Sequence, residues 1–236
     1  NIDRDMGIQL RHKSKLGSTF VTREKFSISQ GEGRNITEGN EGGLQYTTRL
    51  ELLPFGEFAS KGDYSQGDLK RENSLKTMIG FTYDYNRNAV KNRSNLGSYM
   101  FRADGSLFET DITTLFVDTM IKYSGFSLMG EYAYRMADKI EATEMDASKT
   151  GAVVGAGSAV NIQSSYLFKN NVEMVVRYTA LDFESITRLS DLKQLTFGVS
   201  KYVVGHSLKV QTDLSFSQSD NQKDFVQFRT GFDLHF

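Results

Sequence analysis

Hydrophobic and polar residues alternate with a period of two along most of this chain. The last twelve residues show the pattern most clearly, because one parity is apolar at every position except Thr230: Val226, Phe228, Phe232, Leu234 and Phe236. Successive side chains of a β-strand point to opposite faces. The pattern therefore predicts a strand with one apolar and one polar face that reaches the carboxyl-terminal phenylalanine. This ending is typical of outer-membrane barrels, whose strands cross the bilayer with about ten tilted residues.

The same alternation recurs upstream and predicts about eleven strands in total. The apolar parity marks them at Met6–Leu10, Phe20–Ile28, Leu44–Leu52, Ile79–Tyr85, Leu115–Tyr123, Phe126–Tyr134, Val160–Phe168, Val172–Tyr178, Leu195–Val203, Leu208–Phe216 and Val226–Phe236. Glu24 falls on the apolar parity of the second strand. We therefore expect a β-bulge there, or an incorrect assignment of the faces.

The connections between these strands alternate in length. Short links at 204–206, 169–171 and 124–125 alternate with longer polar ones at 218–224, 181–191, 136–150 and 86–110. In outer-membrane barrels the short turns face the periplasm and the long loops lie outside, which fixes the orientation. Segment 53–75 is long where a short turn is expected. It contains the only proline, Pro54, and we expect it to form a small ordered excursion.

Composition agrees with a single all-β domain over residues 1–236, an antiparallel transmembrane β-barrel in a bacterial outer membrane. The chain has 21 Gly, 17 Phe and 11 Tyr but one Pro and no Cys. No run approaches the eighteen apolar residues of a transmembrane helix, so a helical membrane protein is excluded. The net charge of −1 gives no basic field, which excludes nucleic acid as an expected partner.

The strand count bears on completeness. Single-chain bacterial barrels have an even number of strands, and an open sheet edge is costly in lipid. About eleven strands with a periplasmic carboxyl terminus would leave Asn1 at the outer rim. We expect either one unrecognised strand in a barrel of about twelve, or upstream strands absent from this sequence.

Several segments resemble the phosphate-selective porin O and P family in the form found in Bacteroidetes-type bacteria. They are Arg4–Gly7, Arg49–Pro54, Gly80–Asn86, Asp104–Asp111, Gly125–Ala133, Gly198–Tyr202 with His206, and Lys209–Asp213. The resemblance spans nearly the whole chain and covers the carboxyl-terminal part of such a porin.

This resemblance implies a sixteen-stranded, homotrimeric outer-membrane channel that passes anions such as phosphate, to which the chain contributes the later strands. It also implies contact with outer-membrane lipid and insertion by the barrel-assembly machinery. That machinery is expected to recognise the last strand through Phe232, Leu234 and Phe236. The family's anion site lies in earlier strands and an inward-folded loop, and no such loop is recognisable in this sequence.

The polar parity of the predicted strands contains the candidate lumen-facing residues. The bases are Arg11, Arg23, Lys25, Arg49, Lys122, Arg135, Arg177, Lys209 and Arg229. The acids are Glu51, Asp84, Asp118, Glu131, Glu173, Asp213 and Asp233. This near balance predicts a solvated wall crossed by salt bridges. A basic stripe facing the permeation path is the alternative interpretation.

The sequence offers little support for an enzyme, a metal site or a cofactor. The three histidines, His12, His206 and His235, lie near predicted periplasmic turns, and no Gly-x-Ser-x-Gly, phosphate-binding or His-Glu-x-x-His motif occurs. The glycines of 151–157 precede a strand rather than a helix, as expected for close backbone packing. A different class of function remains open, in which the barrel is a scaffold in a larger outer-membrane secretion or uptake complex.

Overall fold

A computed structural model of the chain describes residues 5–33, 43–205, 207–220 and 222–234. The strands of this part of the chain are β1 (Gly7–Leu16), β2 (Phe20–Ser29), β3 (Gln45–Leu53), β4 (Lys76–Ala89), β5 (Lys91–Arg93), β6 (Leu96–Tyr99), β7 (Thr110–Tyr123), β8 (Phe126–Ala137), β9 (Glu141–Thr143), β10 (Lys149–Val153), β11 (Gly157–Leu167), β12 (Val172–Phe183), β13 (Leu192–Val204), β14 (Leu208–Ser219) and β15 (Gln222–Leu234). Two short 3₁₀ segments lie at Ala59–Tyr64, which is kinked at Ser60 and Lys61, and at Ser185–Thr187.

Eleven of these strands form one antiparallel sheet, in the order β1-β2-β3-β4-β7-β8-β11-β12-β13-β14-β15. The predicted all-β fold and its eleven main strands are therefore confirmed. The other four strands pair into two small hairpins, β5–β6 and β9–β10, which the sequence analysis assigned to loops. Within the described residues β1 and β15 occupy the two edges of the sheet.

The pairing register aligns the apolar parities of all neighbouring strands on one face. Leu50 pairs with Phe81, Phe81 with Val117, and Val117 with Tyr132. These apolar side chains are exposed, and Phe81, for example, keeps 45% of its surface accessible. The sheet therefore presents a continuous apolar outer face. No helix among the described residues is long and apolar enough to cross a membrane.

The opposite, inner face has the reverse character, because its buried side chains are mainly polar or charged. They include Gln45, Glu51, Asp84, Asn86, Thr114, Lys122, Gln163, Glu173, Thr196 and Ser215. Water-soluble proteins bury apolar side chains and expose polar ones. In this sheet the exposed face is apolar and the buried face is polar.

The connection between β3 and β4, residues 54–75, shows that the sheet is curved. Arg23 on β2 donates to Asp63 of this connection, and Gly67 lies against Glu173 on β12. Thr47 on β3 and Thr179 on β12 also line one cavity of about 520 Å³. Along the sheet, β3 and β12 are five strand spacings apart, which is about 24 Å at about 4.8 Å per spacing. The sheet therefore curls around this connection, which we call the inward segment.

The inward segment lies at the rim formed by the short connections 17–19, 124–125 and 168–171 and by the adjoining ends of β13 and β14, which we call the short-turn rim. It is ordered, as predicted for 53–75. It folds inward, although no inward-folded loop was recognisable in the sequence. The sequence did not reveal its direction, because its polar residues are equally compatible with a solvated loop.

The opposite rim, which we call the loop rim, has a small apolar core of its own. Its buried side chains come from the ends of β4 and β7, from β9 and from the loop residues that follow β6 and β10: Ala89, Met100, Phe108, Ile112, Ala142 and Val154. The backbone N–H of Gly155 also donates to Asn92 O, which joins the two hairpin regions. The long loops therefore pack as one ordered layer.

Two further expectations about the strands were wrong. The pairing of β2 with β1 and β3 continues through Glu24 with no register shift, so there is no bulge. Glu24 lies on the outer face, where its carboxylate is 2.9 Å from His12 Nδ1. The predicted loop 218–224 is also shorter, because β14 extends to Ser219 and β15 starts at Gln222.

Candidate functional site: the inner face of the sheet

A basic row crosses the inner face at the β1 edge of the sheet. Arg11 pairs with Lys25, and Lys25 pairs with Arg49, so three cations lie side by side on β1, β2 and β3. Directly opposed like charges repel unless anions lie between them. The three cations therefore depend on the carboxylates of the neighbouring rows.

Glu51 and Asp118 supply these counter-charges. Arg49 forms a two-pronged contact with Asp118, with Nη1 2.6 Å from Oδ1 and Nη2 2.8 Å from Oδ2, and its Nε donates to Glu51 Oε1 at 2.8 Å. Lys25 Nζ lies 2.6 Å from the same Glu51 oxygen. Arg49 also donates to Thr82 Oγ1. Bidentate arginine–carboxylate pairs are rigid as well as strong, so this part of the wall is a fixed network.

Arg23 joins this network to the inward segment. Its guanidinium donates to Glu57 at 2.9 Å and to Asp63, and it contacts the hydroxyl of Tyr64 at 3.1 Å. Hydrogen bonds from Lys13 and Arg23 hold the pKa of Glu57 below its usual range. The carboxylate of Glu57 is therefore ionised at neutral pH and ties the segment to the basic strands.

Lys122 is the most deeply placed of the candidate bases, with 2% of its surface exposed. Its ammonium group donates to the backbone carbonyls of Ser65 at 2.8 Å and Gly67 at 2.5 Å. The nearby carboxylates of Asp68 and Glu173 attract it electrostatically. Lys122 therefore holds the inward segment and does not point into an open path.

Between the inward segment and the loop rim, the inner face encloses a cavity of about 520 Å³. Arg49, Asp84, Asp118, Glu131, Arg135 and Asn161 line it, and Ser94 and Asn95 border it on the side of hairpin β5–β6. Arg135 Nε donates to Thr114 Oγ1 at 3.0 Å. Asp84 accepts from Gln45 and Thr47. The remaining donors of Arg135 thus border a cavity of small-molecule size.

The last three candidate bases lie towards the β15 edge. Lys209 Nζ is 3.2 Å from Asp233, and Arg229 donates to Asp213 at 3.0 Å. Arg177 borders a smaller space with Glu173, Lys209 and Asp213. Within the part of the chain that the structure describes, the Arg177 guanidinium makes no hydrogen bond or ion pair. The nine candidate bases thus share the inner face, but five are salt-bridged, and Arg135 and Arg177 keep unpaired donors.

Two of the three residues assigned to barrel assembly, Phe232 and Leu234, lie on β15. Phe232 and Leu234 are on the outer face and are 75% and 52% exposed. Phe236 lies outside the described residues, as do His206 and His235. The third histidine, His12, faces outward on β1 beside Glu24.

Sequence reasoning missed the inner-face residues that come from loops. Asp63, Tyr64 and Gln66 of the inward segment and Ser94 and Asn95 of hairpin β5–β6 all border the inner face. The only signal was the unusual length of 53–75 at a rim of short turns. Among the described residues, no group of three or more His, Asp or Glu could hold a metal ion.

No family model, curated protein or solved structure matches the chain. Its function must therefore be inferred from the two faces of the sheet and from the residues that cover the inner one.

Proposed function

We propose that the chain forms the wall of an outer-membrane β-barrel that lets small anionic solutes such as phosphate diffuse across the membrane. The observation that carries the proposal is the inversion of the sheet, with an exposed apolar outer face and a buried polar inner face. Soluble proteins rarely expose contiguous apolar patches above several hundred Å². Lipid contact explains a whole apolar face, and a water-filled lumen explains the ionic wall.

The proposal includes closure of the sheet. Unpaired N–H and C=O groups of an edge strand each cost several kcal/mol in hydrocarbon. The edges β1 and β15 are therefore proposed to be paired in the membrane, either with each other through a smaller closed barrel or with further strands, as in the sixteen-stranded trimer that the porin resemblance implies. The bacterial outer membrane is the compartment in which barrels of this kind occur.

Anion preference is proposed to come from the arginines that are not engaged by carboxylates. Arg49 and Arg229 are neutralised by Asp118 and Asp213. Arg135 borders the cavity through donors that remain unpaired, and Arg177 borders the adjoining space. A guanidinium group stays charged at physiological pH and matches oxyanions geometrically. Both of these arginines therefore offer donors to a passing anion.

The test is ion selectivity of the full-length protein in planar bilayers under a salt gradient. We expect a reversal potential that shows anion preference, and a smaller preference in the double variant Arg135→Gln/Arg177→Gln. The matched control is Lys193→Gln, which removes a positive charge from an exposed position on the outer parity of β13. Cation preference in the unmodified protein, or equal selectivity in all three, would contradict the proposed role of these arginines.

The second candidate function is a non-conducting scaffold in an outer-membrane secretion or uptake complex. The inward segment favours it, because its contacts reach from β2 to β12 across the inner face. A properly folded full-length protein that conducts no ions, even with the inward segment removed, would favour the scaffold over the channel.

A further inference from the structure

We propose that the inward segment is a gate that closes the short-turn end of the lumen, held shut by the cations of Arg23 and Lys122. This inference rests on the proposed channel function and extends it. It assigns to residues 54–75 a regulatory role that neither the strands nor the charge balance of the wall requires.

The segment is placed to obstruct the lumen. It contacts Arg23 on β2 and Lys122 on β7, whose ammonium group binds its backbone carbonyls. It also reaches Glu173 on β12. Its far end is attached to the turns of the rim, since Ser124 N–H donates to Glu72 O and Arg71 donates to Phe168 O at 2.6 Å. A single stretch of chain thus crosses the mouth from wall to wall.

Its attachments differ along its length. Phe58 is 5% exposed and packs in an apolar cluster with Val21, Leu53, Met78 and Met120, which fixes the start of the segment to the wall. Beyond Phe58 the contacts named above are ionic or hydrogen-bonded. Water can replace such contacts at modest net cost, whereas an apolar anchor resists exposure. The part of the segment after Phe58 can therefore move away from the wall while Phe58 stays in place.

The backbone of the segment is also strained. Ser60, Lys61 and Arg71 have φ of 53°, 57° and 48°, in the left-handed region that residues other than glycine rarely adopt. Such conformations persist only where the surroundings enforce them, and they concentrate in switch regions. Releasing the segment would relieve this strain, so the closed position depends on its latches.

The two cations are the charged latches on the wall. Arg23 bonds to Glu57 and Asp63 of the segment, and Lys122 is attracted by Asp68 and Glu72 of the segment as well as by its carbonyls. Removing one partner of a buried charged contact leaves the other uncompensated. Loss of both cations would remove the charges that face Asp63, Asp68 and Glu72, whereas Lys13 would still hold Glu57. The carboxylates of Glu51 and Glu173 would remain on the wall, and their repulsion would favour the open position.

The experiment compares the single-channel conductance of the full-length protein with that of Arg23→Gln/Lys122→Met, with Lys193→Met as the matched control. We expect a several-fold higher conductance in the double variant and no change in the control. A third variant replaces residues 56–73 with an Asn-Gly turn, which suits a two-residue hairpin. It should conduct at least as well as the double variant, and heat-dependent electrophoretic mobility verifies that each barrel is folded.

A second readout uses the absence of cysteine from the chain. Ser65→Cys should react slowly with a hydrophilic thiol reagent in the otherwise unmodified protein and faster when Arg23 and Lys122 are also replaced. Equal conductance and equal labelling in folded protein with and without the latches would overturn the gate while leaving the channel intact. Absence of conductance even after removal of the segment would overturn the channel and the gate together.

Discussion

A lysine placed at two adjacent valines of β12 tests the assignment of the two faces. Val176 lies on the outer face and is 44% exposed, whereas Val175 lies on the inner face between Glu173 and Arg177. The substitutions Val176→Lys and Val175→Lys are chemically identical and one residue apart. A difference between them therefore reports only the direction in which the side chain points.

The two substitutions should differ in their loss of stability, because Val176 and Val175 have different surroundings. A lysine on the lipid-facing side of a barrel destabilises it by about 2–4 kcal/mol at the bilayer midplane, and β12 has Val176 near its middle. At position 175 the cross-strand neighbours are the small residues Ser165 and Gly198, and the carboxylate of Glu173 is two residues away. We expect Val175→Lys to cost less than about 1 kcal/mol, since its charge stays in the polar interior.

The assay is reversible urea unfolding of the full-length protein in phospholipid bilayers, followed by intrinsic fluorescence of its tyrosines or by electrophoretic mobility. The free energy of unfolding should be at least about 1 kcal/mol lower for Val176→Lys than for Val175→Lys, roughly a fivefold difference in the equilibrium constant. Equal losses, or a larger loss at position 175, would refute the assignment of the outer face to lipid.

Three other predictions concern the rims and the carboxyl terminus. Met145→Cys, at a position 80% exposed at the loop rim, should label with a membrane-impermeant thiol reagent on intact cells, whereas Asn170→Cys at the short-turn rim should not; the reverse result would invert the orientation. Phe236→Asp should lower the amount of assembled protein without changing conductance per channel, and normal abundance with altered conductance would contradict its role in assembly. Burial and the nearby Asp5 raise the pKa of Glu32 to about 7, so its protonation stabilises the fold below the unfolded pKa and this contribution is lost as pH rises through about 7. The fall in stability from pH 5 to pH 8 should therefore be smaller in Glu32→Gln, and an unchanged pH profile would argue against this linkage.

The period of two was sufficient to predict the strands and their faces. Side chains such as Phe81, Val117 and Phe197 are on the outer face because successive side chains of a strand point to opposite faces, whichever strands lie beside it. The same reasoning placed all nine candidate bases on the inner face. Local backbone geometry determines the strands and the faces of their side chains, so both could be predicted from the sequence alone.

Glu24 shows where the pattern was misleading. Its charge on an apolar parity predicted a bulge, but the strand is regular and His12 lies opposite it on β1. A cross-strand partner compensates the charge, and cross-strand partners depend on register. Register is a property of two strands together, so one strand's sequence could not show it.

The position of the inward segment could be determined only from the tertiary structure. Glu57, Asp63 and Asp68 read as the polar residues of an ordinary loop, because solvent and a cationic wall both satisfy carboxylates. Only the curvature of the sheet brings Arg23 on β2, Lys122 on β7 and the segment together across distant parts of the chain. The alternation of side chains thus determined which residues face inward, and the curvature of the sheet around residues 54–75 decided which of them bind the segment and which border the cavity.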